Sequence, residues 1–170
     1  MAVSPLPRPQ IIGTKEPTTA YKERSAVRVI TFNSVGEIAI IFAERDNYYK
    51  LPGGGIDPGE DHEVAAQREM QEETGCLIKL RADGCIATTE EFRNDLHQIS
   101  YCYCADLVDA AGNPTLTEDE VQDKLKHLWV LVDEAKQLMA TVEPKTMLGQ
   151  YIKERDIYLL DVATKDGVIN

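Results

Sequence analysis

At 170 residues and 19.0 kDa the chain has the length of one domain and can bury a full hydrophobic core. Hydrophobic residues make up 43% and charged residues 28%, which excludes collagen-like, low-complexity and wholly disordered classes. Against 29 acidic residues stand 18 basic ones, a net charge of −11 that argues against a nucleic-acid polymer or an anionic membrane as partner and repels free polyphosphate unless metal ions intervene.

Residues 1–23 form a proline-containing arm, with Pro5, Pro7, Pro9 and Pro17, expected to be irregular. The start has no apolar core of a secretory signal, and no run approaches the ~20 apolar residues of a membrane span. Residues 24–170 are read as the domain proper. The run SAVRVITF (25–32), the turn Asn33-Ser34-Val35-Gly36 and the run EIAIIFA (37–43) predict a β-hairpin. Residues 48–51 predict a short strand, stopped by Pro52 and three glycines. Residues 60–74 lack Gly and Pro and are rich in helix formers, with Gly75 placed as a C-cap.

Two strands are predicted at 76–80 and 84–92, then a break at Asn94-Asp95 and a strand at 97–108. Thr117 is placed to cap a short acidic helix holding Glu118, Asp119 and Glu120. A strand around Trp129, a helix at 133–140 and a final amphipathic helix at 147–163 complete the pattern. It predicts an α+β fold, a mixed sheet with helices packed as an α/β/α sandwich. Cys76, Cys85, Cys102 and Cys104 form no CxxC pair and read as reduced thiols of the cytoplasm.

Chemistry concentrates in LPGGGIDPGEDHEVAAQREMQEETGC (51–76). A glycine-rich loop runs directly into the helix, so its backbone can approach a ligand closely. At 100° per residue Glu69, Glu72 and Glu73 fall within an arc of about 100°. Like charges so spaced destabilise an isolated helix. As a group they offer the hard oxygen ligands that Mg²⁺ or Mn²⁺ prefers. Ala65 and Ala66, one turn earlier, would leave room for an ion and its ligand.

The spacing goes further. Gly54, Glu60, Arg68-Glu69, Glu72-Glu73 and Gly75 match the signature of the Nudix hydrolases at all seven fixed positions. At ~7% usage per residue type, chance gives such a match on the order of 10⁻⁸ times per starting position. Only Cys76 departs, standing where the family has an aliphatic residue. LWVLVDEAKQL (128–138) also resembles the family's W-x-x-x-x-E-A segment.

The resemblance implies a Nudix fold with a catalytic loop–helix, and hydrolysis of a nucleoside diphosphate linked to another group. It implies Mg²⁺, or Mn²⁺, held by Glu69 and Glu73, with Glu72 as ligand or proton acceptor, Glu60 in support and a carbonyl from Gly54. Arg68 is implied to hold the loop–helix shape. Gly53, Gly54 and Gly55 are placed against the substrate, with Arg45 at the end of the second strand against the diphosphate. Glu120 is the chosen candidate for a further catalytic carboxylate. Proposed substrates begin with a (deoxy)nucleoside triphosphate, as in MutT-like members. Glu90 and Glu91 replace a proline of ADP-ribose hydrolases, Phe92 replaces a tyrosine of dinucleoside polyphosphate hydrolases, and −11 fits inositol pyrophosphates poorly. ADP-ribose, a nucleotide sugar, a non-nucleotide diphosphate and a non-catalytic binding module stay as alternatives. The partner is a small diphosphate; a homodimer is left open.

Overall fold

A computed structural model describes residues 4–165. Eight strands form one mixed sheet among them. Its main path begins with β1 (Gln10–Gly13), β6 (Leu77–Arg93), β7 (Leu96–Asp109) and β2 (Lys22–Phe32), and continues through β3 (Glu37–Ala43) to β4 (Tyr48–Lys50). The short β5 (Gly53–Gly55) pairs with β2, and β8 (Leu125–Leu131) pairs with β3. Strand β2 runs parallel to β7 along its whole length, from Lys22↔Leu96 to Phe32↔Asp106.

The predicted hairpin is present as two strands but hardly as a ladder. β2 and β3 share the single pair Phe32↔Ile38, because β3 turns away to pair with β8 and β4. The corner is built locally: Asn33 Oδ1 accepts from Val35 N at 3.1 Å and Glu37 N at 2.9 Å.

Both faces of the sheet are covered, which gives the sandwich expected from the sequence. Helix α1 (His62–Thr74) lies on one face, with Ala65, Ala66 and Met70 packed against Val27 and Val29. Helices α3 (Val132–Thr141) and α4 (Met147–Lys165) cover the other, where Ala135, Met139, Leu159 and Leu160 meet Ile30 and Phe32. The second half of strand β2, from Ala26 to Phe32, is buried and sends apolar residues alternately to the two cores. The short α2 (Glu118–Gln122) leads into β8, capped by Thr117 as expected.

Two expectations need correction. The arm is not irregular throughout: β1 docks parallel on β6, and Ile12 is 1% exposed. Two isoleucines between prolines were too short a run to show period-two patterning. The two strands expected at 76–80 and 84–92 are one, β6. Irregularities between Leu80 and Ala87 absorb Gly84 without ending the pairing with β7. All four cysteines are free, and Cys76, Cys102 and Cys104 are buried. No helix among the described residues is long and apolar enough to cross a membrane.

Candidate active site

The glycine loop reaches its position by pairing. Gly53, Gly54 and Gly55 lie opposite Arg28, Val27 and Ala26 of β2. A Cβ on Gly53, at φ 143°, would stand 2.0 Å from the Val27 carbonyl oxygen, and one on Gly54 would meet the Glu69 carboxylate at 2.5 Å. Only glycine permits strand and helix to close on the loop together. Asp61 caps α1 by accepting from Val64 N at 2.9 Å, and Gly75 ends it in the left-handed conformation. The helix thus presents Glu69, Glu72 and Glu73 from its C-terminal half.

Arg68 organises that cluster. Its Nε and Nη2 each donate to Glu60 at 2.8 Å, Nη1 donates to Glu69 at 2.9 Å and lies 3.5 Å from Glu72, and Nη2 also donates to the Gly55 carbonyl at 2.9 Å. The Arg68 bonds, with a further one from Asp57 N, hold the Glu60 carboxyl down to about 2. Glu73 is buried. It accepts from Gly53 N at 2.7 Å, and Lys50 Nζ stands 2.6 Å from its other oxygen. Burial pushes the carboxyls of Glu69 and Glu73 up despite these cations.

A cavity of about 450 Å³ opens beside this cluster, lined by Gly53, Gly54, Gly55, Glu69, Glu72 and Glu120. Glu73 and Glu60 stand behind that lining, tied to Lys50 and Arg68. Arg45 is not brought to it. It is 52% exposed and pairs with Asp123 at 2.8 Å and Asp46 at 3.4 Å. Ala65 and Ala66 face the sheet core and make no room for a ligand. Glu120 lines the cavity while its carboxylate also accepts from Thr117 N at 2.9 Å, closing a capping box.

A second set of lining residues was not foreseen. It is basic: Arg24 and Arg28 from β2, Lys50 from β4, Arg93 from the end of β6 and Arg155 from α4. Arg155 is buried and chelates Asp156, with Nε to Oδ1 at 2.7 Å and Nη2 to Oδ2 at 3.2 Å. Asp156 in turn accepts from Leu51 N at 2.8 Å, fixing α4 to the loop. Arg93 donates to the buried Glu91 at 3.0 Å. A signal was present: Arg24 and Arg28 are four apart in a strand, hence on one face, and Arg28 stands between the apolar residues Val27 and Val29. The chain carries −11 overall, yet cations cluster along this cavity.

The donors suit a hard divalent cation. They are all oxygen, they outnumber the cations Arg68 and Lys50 that neutralise them, and burial makes two of them, Glu69 and Glu73, harder to ionise without a further cation. Arg68 and Lys50 engage the carboxylate oxygens, and among the described residues no three Asp, Glu, His or Cys side chains converge as a cage.

The NUDIX domain family matches residues 22–150. A CMP-5'-(N-acetyl-N-hydroxy-3-aminopropyl)phosphonate hydrolase from Streptomyces rubellomurinus is 33% identical over 104 residues, covering 59% of this chain and 48% of that protein. An RNA pyrophosphohydrolase of Wolbachia sp. subsp. Brugia malayi is 44% identical over 55 residues, covering 32% of this chain and 34% of its own length. The chain thus spans half or less of the length of these relatives. A MutT protein from Methanosarcina mazei Go1 shares the fold at a TM-score of 0.60 and 16% identity, over 87% of this chain and 99% of that one.

Proposed function

This chain belongs to the Nudix family, and from that premise we propose that it is a divalent-metal-dependent pyrophosphohydrolase cleaving a nucleoside diphosphate linked to another group, a (deoxy)nucleoside triphosphate first among these. The observation that carries the reading is one cavity lined by both carboxylates and arginines. An anhydride lying between them meets cations for its oxygens, while the carboxylates are placed to hold metal and to accept a proton from water.

Glu69, Glu73 and the Gly54 carbonyl would hold the ion. When bound, a divalent metal supplies charge neutralisation and a more acidic water. Glu72, more exposed than Glu69 or Glu73 and facing the cavity, accepts the proton from the attacking water. Arg68 holds Glu69, Glu72 and Glu60 in place and ties them to the loop through the Gly55 carbonyl. Glu120 adds a carboxylate from α2. Arg45, engaged by Asp123, has no part in this assignment.

A polar, cation-rich lining disfavours a prenyl diphosphate, whose chain needs an apolar pocket. The test is a phosphate-release screen with Mg²⁺ over nucleoside triphosphates, nucleotide sugars, ADP-ribose and prenyl diphosphates. Pyrophosphatase is added to half the wells, to separate phosphate from pyrophosphate release. Similarity to an RNA pyrophosphohydrolase adds a 5'-triphosphorylated RNA as one arm. Release from nucleoside triphosphates above all other arms supports the reading. No release from any arm overturns it.

A further inference from the structure

The basic wall is not uniform. Arg93 and Arg155 have acidic partners, Glu91 and Asp156. Lys50 has Glu73, and Arg68 has Glu60 and Glu69. Arg24 and Arg28 have no ion pair among the described residues. Arg24 Nη1 donates to the neutral Gln98 at 2.6 Å. Arg28 is 5% exposed, its Nε has no hydrogen-bond partner, and it lines the cavity. Burial, with Arg155 nearby, pulls its guanidinium down to about 10.

Asp156 and Glu73 act on Arg28 from a distance, but a buried cation with neither a direct ion pair nor full hydrogen bonding is a costly arrangement for a fold to hold. It persists where function supplies the missing partner. The surroundings are shaped for one. Arg24, Ala26 and Arg28 are alternate residues of β2 and share one face. Beside them on β7 stand Gln98 and Ser100, paired with Arg24 and Ala26 and hydrogen-bonded to each other at 3.2 Å. Arg28 lies opposite Gly53, whose N–H is bound to Glu73. The unpaired cations therefore border the carboxylate end of the same cavity. No aromatic ring lies among these groups; Tyr48 is the only aromatic residue in the lining.

We propose that Arg28 and Arg24 form an anion subsite that selects substrates carrying a phosphate group beyond the two joined by the cleaved anhydride. The inference rests on the hydrolase reading above and narrows it. A triphosphate brings the third anionic group; a diphosphate joined to a neutral sugar does not. Arg28 is the buried anchor and Arg24, at the exposed rim, draws the anion in. Arg forks suit phosphate oxygens because two N–H donors match two acceptors. The net charge of −11 is therefore no argument against highly phosphorylated substrates, since repulsion at the surface and attraction inside the cavity act on different scales.

The test has two readouts on the full chain. The first is calorimetric binding of inorganic tripolyphosphate and of pyrophosphate in EDTA, where no metal contributes. The parent should bind tripolyphosphate at least about tenfold tighter than either Arg28→Gln or Arg24→Gln. The second is kcat/KM with Mg²⁺ on a nucleoside triphosphate and on the matching nucleoside diphosphate sugar. The ratio of the two should fall at least about tenfold in both variants, because a site built for an anion loses discrimination when its donors go. Should Arg28→Gln fail to fold, Arg24→Gln, on an exposed residue, decides the matter. A parent that binds no tripolyphosphate, or variants that keep its substrate ratio, would overturn the subsite. A parent that binds tripolyphosphate but hydrolyses neither substrate would refute the hydrolase reading and leave the subsite standing.

Discussion

Lys50 Nζ stands 2.6 Å from Glu73 Oε2, a buried ion pair joining the last residue of β4 to the last turn of α1, with side chains 12% and 1% exposed. The other Glu73 oxygen accepts from Gly53 N. Glu73 is thus shared between the fold and the proposed metal site. Glu73→Gln keeps an oxygen for Gly53 and removes the charge, so kcat should fall at least about 100-fold with circular dichroism unchanged. It also strands the Lys50 cation, so thermal stability should drop. Adding Lys50→Met should restore part of that stability and none of the rate. Recovery of rate in the double variant would show that Glu73 acts only through its pairing.

The loop–helix was legible because seven positions carry one geometry: glycines where a Cβ would collide, a cap at each helix end, and acids at helical spacing. The basic wall was not. Arg24, Arg28, Lys50, Arg93 and Arg155 lie in four different elements, and only the sheet register and the seating of α4 assemble them. An arginine in a strand reads as an exposed one until its neighbours are known. Arg45, chosen for its place at a strand end, found Asp123 across a pairing that no local pattern announces. Strand β1 escaped notice because its register is set by β6, far away in sequence.

Arg68 ties Glu60, Glu69 and the Gly55 carbonyl through bonds of 2.8–2.9 Å. Arg68→Lys keeps the charge and loses the fork. Hydrogen bonds to charged groups contribute about 1.5–3 kcal/mol each, so a denaturation midpoint shift equivalent to at least about 1 kcal/mol is expected. The Mg²⁺ concentration for half-maximal rate should rise about 10-fold or more, as the carboxylates lose their common orienting group. An unchanged metal requirement would reduce Arg68 to a purely structural residue.

His62 opens α1, with Nδ1 2.6 Å from the Tyr103 hydroxyl and its ring against Tyr101. Burial lowers its pKa from the ordinary histidine value, with Asp61 opposing. His127 is lowered too, by burial. In both, the unfolded chain binds a proton more readily than the folded one. Stability from these groups is therefore complete above the unfolded histidine pKa of ~6.5 and is lost as pH falls below it. The raised carboxyls of Glu69 and Glu73 act in the opposite sense, so the test is a difference: from pH 7.5 to pH 5 the melting temperature of the parent should decline relative to that of His62→Asn. A steeper decline in that variant would reverse the sign argued here.

Among the described residues no serine, cysteine or histidine lines the cavity, so none of these stands ready there as a nucleophile. Hydrolysis in ¹⁸O water should place label on a phosphate product and leave the protein unlabelled. Excess EDTA should abolish turnover, and Mg²⁺ or Mn²⁺ should restore it. Full activity in EDTA would remove the metal from the mechanism, and label confined to the non-phosphate product would move the attack away from phosphorus.

Glu118, Asp119 and Glu120 share the first turn of α2, but only Glu120 lines the cavity. Its carboxylate already has a structural task, accepting from Thr117 N while Thr117 Oγ1 accepts from Glu120 N at 3.3 Å. Glutamine performs that capping task as well as glutamate. Glu120→Gln therefore keeps the cap and removes only the charge, separating the two roles. If Glu120 supplements the metal or takes the proton, the variant should lose about 10–100-fold in kcat or Mg²⁺ affinity at nearly unchanged melting temperature. Glu118→Gln and Asp119→Asn, on exposed residues outside the cavity, should stay within about 0.5 kcal/mol of the parent in stability and match it in rate. A Glu120→Gln variant as active as these two would leave the carboxylate with the capping box alone, and would leave the proposed chemistry to Glu69, Glu72 and Glu73.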